Sequence, residues 1–194
     1  NISVHEAGHA VIYMLLMGLA PLQLKSKVAS SYASGFTFPH QIHETKENLI
    51  KKIKIYLAGG IAEEVIFGQS YASIGRIHDR EQATSFAIDY VRKYGFDDEF
   101  QANYTLEYAY VMDKSVTDLD VEKMLTRLAL ETQEQLSARR ALLKGLSIEL
   151  CVKGSLDASE IAAIAANFGL NALVKEEGFL KIHDYHKALQ EGLS

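Results

Sequence analysis

The chain has 194 residues, 48% of them apolar and 23% charged, enough for one hydrophobic core with or without a helical appendage. Its net charge of -5 at pH 7 offers no basic face for nucleic acid, and its one cysteine, Cys151, excludes an internal disulfide and points to a reducing compartment. The longest charge-free run, Ala10–Leu24, is fifteen residues long and broken by Gly18 and Pro21, short of the about 20 that a membrane span needs.

The first predicted element is an apolar helix carrying Val4, Val11, Ile12, Leu15 and Leu16, with His5-Glu6-Ala7-Gly8-His9 in its opening turns. Histidines four apart lie one above the other on a helix face, so both imidazoles can hold one ion at the roughly 2.0–2.1 Å of a zinc–nitrogen bond. Glu6, next to the first histidine, is placed to take a proton from an attacking water and pass it to a leaving amine. Gly8 inside the helix costs about 1 kcal/mol relative to alanine, which points to a close approach by backbone or substrate. So early a start is the arrangement expected of a piece excised from a larger polypeptide.

This helix should stop at Gly18, with Pro21 beyond. Leu22 to Val28 alternates apolar and polar as a short strand, and Gly35 to Pro39 reads as a second strand after a turn. That second strand is either an edge that pairs with an extended substrate or one arm of a hairpin over the core. His40 and His43 follow in a polar loop and are expected to be solvated. From Thr45 to Phe67 the apolar residues Leu49, Ile53, Leu57, Ile61 and Val65 keep helical spacing, and Gly59-Gly60 suggests close packing on the histidine helix. Gly68 closes that helix. After a loop to Ile77, a helix to Tyr94 carries a buried stripe of Ala83, Phe86, Ala87, Tyr90 and Val91, ended by Gly95. The third metal ligand should come from these two helices, with Asp79, Glu63, Glu64 and His78 as candidates. Asp79 is in phase with Ala83 and Phe86, which favours it, although a carboxylate there also suits a helix start. Glu64 lies near the apolar edge of its helix, and His78 could ligate or orient Asp79.

His5-Glu6-Ala7-Gly8-His9-Ala10, Ser34-Gly35-Phe36-Thr37, Leu57-Ala58-Gly59-Gly60-Ile61-Ala62-Glu63-Glu64 and His78-Asp79-Arg80-Glu81-Gln82-Ala83-Thr84, in that order, resemble the peptidase domain of the FtsH family, membrane-anchored ATP-dependent zinc proteases. The likeness returns at Lys153-Gly154-Ser155-Leu156-Asp157 and covers roughly the first 165 residues. The resemblance implies one Zn²⁺ held by His5, His9 and Asp79, Glu6 as catalytic glutamate, and a substrate-side edge strand at Ser34, Gly35, Phe36, Thr37 and Phe38. It also implies unfolded or membrane-protein substrates, a homo-hexamer, and a parent protein on the cytoplasmic side of a bacterial inner membrane or its organelle equivalent. ATP would enter only through a module outside these residues, as would the membrane anchor. His78 stands where the family has asparagine, Ile61 where it has arginine, and Ala72-Ser73-Ile74-Gly75 where it has Thr-Thr-Gly-Ala.

Downstream, Asn103 to Met112 is a tyrosine-rich loop, and Val121, Leu125, Leu128 and Thr132 mark a helix. Another follows with Leu142, Leu143, Leu146 and Leu150, and Cys151 reads as a small core residue beside it. Asp157 and Glu160 form a helix-start signature ahead of Ile161, Ile164, Ala165 and Phe168. His183 and His186 are a weak metal pair or simply exposed. The fold expected is mainly α with a small antiparallel β-sheet, a zincin-like domain over 1–168 (1–100 catalytic, 101–168 helical support) and an extension over 169–194. The function expected is that of a zinc metalloendopeptidase, with a free-standing peptidase or a non-catalytic assembly subunit as alternatives.

Overall fold

The computed structural model describes residues 1–26, 40–106, 113–175 and 179–180. Among these residues, six α-helices and four short strands follow in the order α1 (Ile2–Met17), β1 (Gln23–Lys25), β2 (Gln41–Ile42), α2 (Lys46–Phe67), α3 (Ile77–Ile88), α4 (Asp118–Ala138), α5 (Arg140–Lys153), β3 (Ser155–Asp157), α6 (Ala158–Asn167) and β4 (Phe179–Leu180).

The hub is α2, which packs against α1, α3 and α4. One side of it, with Ile55, Ala58 and Ala62, joins Val11, Ile12 and Met14 of α1 and Leu142, Leu143, Leu146 and Leu150 of α5. The other side, with Leu49 and Ile53, meets Ala83 and Ala87 of α3 and Val121, Met124 and Leu128 of α4. A helix between two cores must be apolar on more than one face, which is how the middle of α2 reads. Each fully buried leucine of α5 contributes roughly 1.5–3 kcal/mol relative to exposure. The closest approach is α1 on α2: a Cβ on Gly8 would lie 2.5 Å from Ala62 Cβ and 2.7 Å from the Ala58 carbonyl oxygen. The conformational cost of Gly8 therefore goes into backbone proximity.

Local signals set most boundaries. Gly18 ends α1 at φ 69°, a left-handed conformation that suits glycine. The Thr45 side chain accepts from Asn48 N–H to start α2, and Asp157 and Glu160 cap α6 reciprocally. The helix expected to run to Tyr94 is α-helical to Ile88 and widens into a π turn over Asp89–Lys93.

Three expectations are corrected. Within the stretch read as a strand at Leu22 to Val28, the described residues form one over Gln23–Lys25, and its partner there is the distant β3, antiparallel, with buried Leu24 opposite buried Leu156. β2 and β4 add a separate parallel pair. Cys151 is exposed, because the buried stripe of α5 ends at Leu150 and the next residue turns about 100° away. His40 is buried, with Tyr13 O–H donating to its Nδ1 at 2.6 Å and its Nε2 3.2 Å from the Lys175 carbonyl oxygen. His43 is exposed. Among the described residues no helix is long and apolar enough to cross a membrane. The expected strand at Ser34 to Phe38, the tyrosines Tyr108 and Tyr110, and the pair His183 and His186 lie outside the described residues.

Candidate metal centre

Helical spacing on α1 brings the His5 and His9 rings to 4.8 Å between centroids, at 76° to one another. Both Nε2 atoms converge on Gly59 of α2, where a Cβ would sit 2.5 Å from each. Any other residue there would fill the space into which the imidazoles point. Asp79, buried in the first turn of α3, places Oδ2 2.8 Å from His5 Nε2 and 3.1 Å from His9 Nε2. One donor atom from each of these three side chains lies within 4.8 Å of the others.

The outward nitrogens are also fixed. His9 Nδ1–H donates to the Ile55 carbonyl at 2.7 Å, and His5 Nδ1–H donates to Glu63 Oε1 at 2.9 Å. Glu63 is held in turn by Ser73, whose backbone N–H reaches Oε2 at 2.7 Å and whose hydroxyl reaches Oε1 at 3.0 Å. Such partners set the tautomer and ring orientation of a ligating histidine. With Nδ1–H committed, a neutral His9 turns a lone pair toward the Asp79 carboxylate, an arrangement that positive charge between them reconciles.

The field at this point favours a cation. Burial works against charge on His5, but hydrogen bonds to Asp79 and Glu63 outweigh it and raise the imidazole to about 9. Burial likewise pushes Asp79 and Glu63 upward; bonds from His5 and His9 to Asp79, and from His5 and Ser73 to Glu63, hold both below the ordinary carboxylate range. Glu6 is half-buried beside His5, and its charge adds to the field there.

Of the residues singled out in the sequence, His5, His9 and Asp79 come together. Glu64 does not join them: it pairs with Arg76, which lies over Gly60. His78 is exposed, with Nδ1 3.3 Å from Glu81. Of the two adjacent glutamates, the one that meets a histidine is Glu63. It is four residues after Gly59 and so shares the face turned to α1, a signal that the double glycine already carried.

Residues 1–164 match the model of peptidase family M41. The chain belongs to that family. The match takes in α1 to α5 and the whole candidate site. Among similar proteins, the ATP-dependent zinc metalloprotease FtsH 1 of Alkaliphilus metalliredigens is 30% identical over 174 residues, covering 84% of this chain and 29% of the relative. The ATP-dependent zinc metalloprotease FtsH of Lachnoclostridium phytofermentans is 32% identical over 169 residues, 82% of this chain and 28% of the relative. A further one, from Cyanidium caldarium, is 28% identical over 181 residues, 84% of this chain and 30% of the relative. The chain thus spans less than a third of the length of these relatives.

Proposed function

We propose that the chain is the zinc endopeptidase module of an ATP-dependent protease, with His5, His9 and Asp79 holding the metal and Glu6 acting as general base. The observation that carries this reading is the convergence of two imidazole nitrogens and one carboxylate oxygen, from two helices, over a glycine that leaves them room. Two nitrogens and an oxygen are a donor set suited to a catalytic zinc with one position left open. When bound there, zinc polarises the scissile carbonyl and lowers the pKa of water toward ~7.

The chain's own residues do the rest. Glu6, adjacent in sequence to His5 yet turned about 100° from it on the helix, takes the proton of the attacking water and returns it to the leaving amine. Glu63 and the Ile55 carbonyl keep both rings aimed inward, and Ser73 keeps Glu63 in place. An extended substrate pairs along Ser34 to Phe38, the strand assigned by resemblance. The names of the relatives support zinc-dependent, ATP-dependent proteolysis by the parent protein; unfolded or membrane polypeptides as substrates, a homo-hexameric assembly and a place on the cytoplasmic side of a membrane are what the sequence resemblance adds to that reading. ATP and the anchor belong to parts of the protein outside these residues.

Glu6→Gln tests the mechanism. It should abolish cleavage of an unfolded casein-like substrate while the chain keeps about one zinc, because Glu6 is a base and not a ligand. Near-normal turnover by this variant would sink the assignment.

A further inference from the structure

The outer face of α3 carries a groove that the chemistry above does not use. α3 turns Asp79, Ala83 and Ala87 inward, which leaves Ile77, Glu81, Thr84 and Ile88 on the opposite side at spacings of three and four. With Ser73, Ile74 and Arg80 these residues enclose about 770 Å³, a size typical of ligand sites. Its apolar wall is open to solvent: Ile74 is 94% exposed and Ile77 57%. These two isoleucines give the groove an apolar wall against which a side chain can pack.

The charges in the groove are unevenly committed. Glu81 lies 3.3 Å from His78, a charge pair only when that histidine is protonated, and Glu64 pairs with Arg76 at the rim. Arg80 has no ion pair among the described residues, and the Arg76 Nε is buried without a hydrogen-bond partner. Arg80 and the Arg76 Nε are thus hydrogen-bond donors left for a ligand of this groove. The groove also adjoins the metal centre, since Ser73 lines it while giving two hydrogen bonds to Glu63. The twelve residues of α3 are about 18 Å long, room for about five residues of extended peptide.

We propose that this groove is a subsite for the substrate polypeptide, taking an apolar side chain against Ile74 and Ile77 and a neighbouring acidic side chain on Arg80. The proposal rests on the peptidase reading above and gives it a sequence preference. Arginine suits the role because its planar fork binds a carboxylate with two parallel hydrogen bonds.

The test reads binding, so it does not depend on turnover. The full chain carrying Glu6→Gln is titrated into fluorescein-labelled extended peptides that differ only in Glu or Gln beside an isoleucine, and anisotropy is followed. The Glu peptide should bind about fivefold more tightly. Arg80→Gln should erase that preference, Arg80→Glu should turn it toward a Lys peptide, and Ile74→Ser should weaken all peptides alike. Equal binding of the Glu and Gln peptides, or a preference unmoved by Arg80→Gln, overturns the proposal. So does a change in sedimentation on Arg80→Glu with peptide preference unmoved, which assigns the groove to a second copy of the chain. If the preference holds but the chain with Glu6 intact cuts no peptide, the peptidase reading fails and the groove stands.

Discussion

Gly59→Ala separates the folding of this protein from its metal binding. In an ordinary helix interior the change would be favourable by about 1 kcal/mol, since alanine is the better helix former. Here the new Cβ would lie 2.5 Å from both His5 Nε2 and His9 Nε2 and 2.7 Å from His5 Cδ2. Relief to ordinary contact requires each ring to retreat by about 1 Å, whereas metal–ligand distances tolerate about 0.2 Å. The rings cannot retreat freely, because His5 Nδ1 is tied to Glu63 and His9 Nδ1 to the Ile55 carbonyl. Overpacking of this kind costs about 1–3 kcal/mol, partly offset by the helix propensity gained. Gly59→Ala should therefore fold with a modest loss of stability in urea titration, yet lose zinc to a mild chelator and with it peptide cleavage. Gly60→Ala is the control: its Cβ would meet Arg76 Nε at 2.9 Å and Arg76 Cβ at 3.1 Å, so it crowds Arg76 and not the histidines, and zinc should stay. Parent-like zinc affinity and turnover in Gly59→Ala would show that Gly59 does not keep the space between the two imidazoles.

The adjacent glutamates of α2 should part company: Glu63→Ala frees His5 and should lower zinc affinity by about 10–100-fold in competition with a chromogenic chelator, while Glu64→Ala should change it little. Equal losses would count against the assigned roles. For pH, Glu131 is held below the usual carboxylate range chiefly by its hydrogen bond from Lys54, so its contribution to stability is present above the unfolded pKa and lost as pH falls through the folded one. Glu131→Gln should flatten the acid side of the stability–pH curve in urea titrations, and an unchanged acid limb would show the pair to be idle.

How much of this was legible in the chain depends on how far each signal reaches. His5 and His9 are a local pair that short-range periodicity brings out, whereas phase with Ala83 favours Asp79 over the glutamates only modestly and the family resemblance supplies the rest of that assignment. Glu63 and Glu64 differ by only one residue, and which one meets α1 is decided by how α2 crosses it, a fact of tertiary packing. His40 looks solvated among polar neighbours, yet its partners Tyr13 and Lys175 lie far along the chain in opposite directions. Cys151 misleads in the opposite sense, since apolar neighbours suggest burial and helix phase denies it. β1 finds its partner at Ser155–Asp157, too distant in sequence for any alternation pattern to announce.

Whether Asp79 completes the metal site is decided by zinc analysis of Asp79→Asn beside the parent. Both proteins are dialysed against a mild chelator and their metal content measured alongside peptide cleavage. The parent should retain about one zinc per chain, and Asp79→Asn should lose nearly all of it together with activity, since removal of a ligand costs more than removal of a group that only orients one. An Asp79→Asn protein that keeps zinc as tightly as the parent, while Glu64→Gln loses it, would contradict the account.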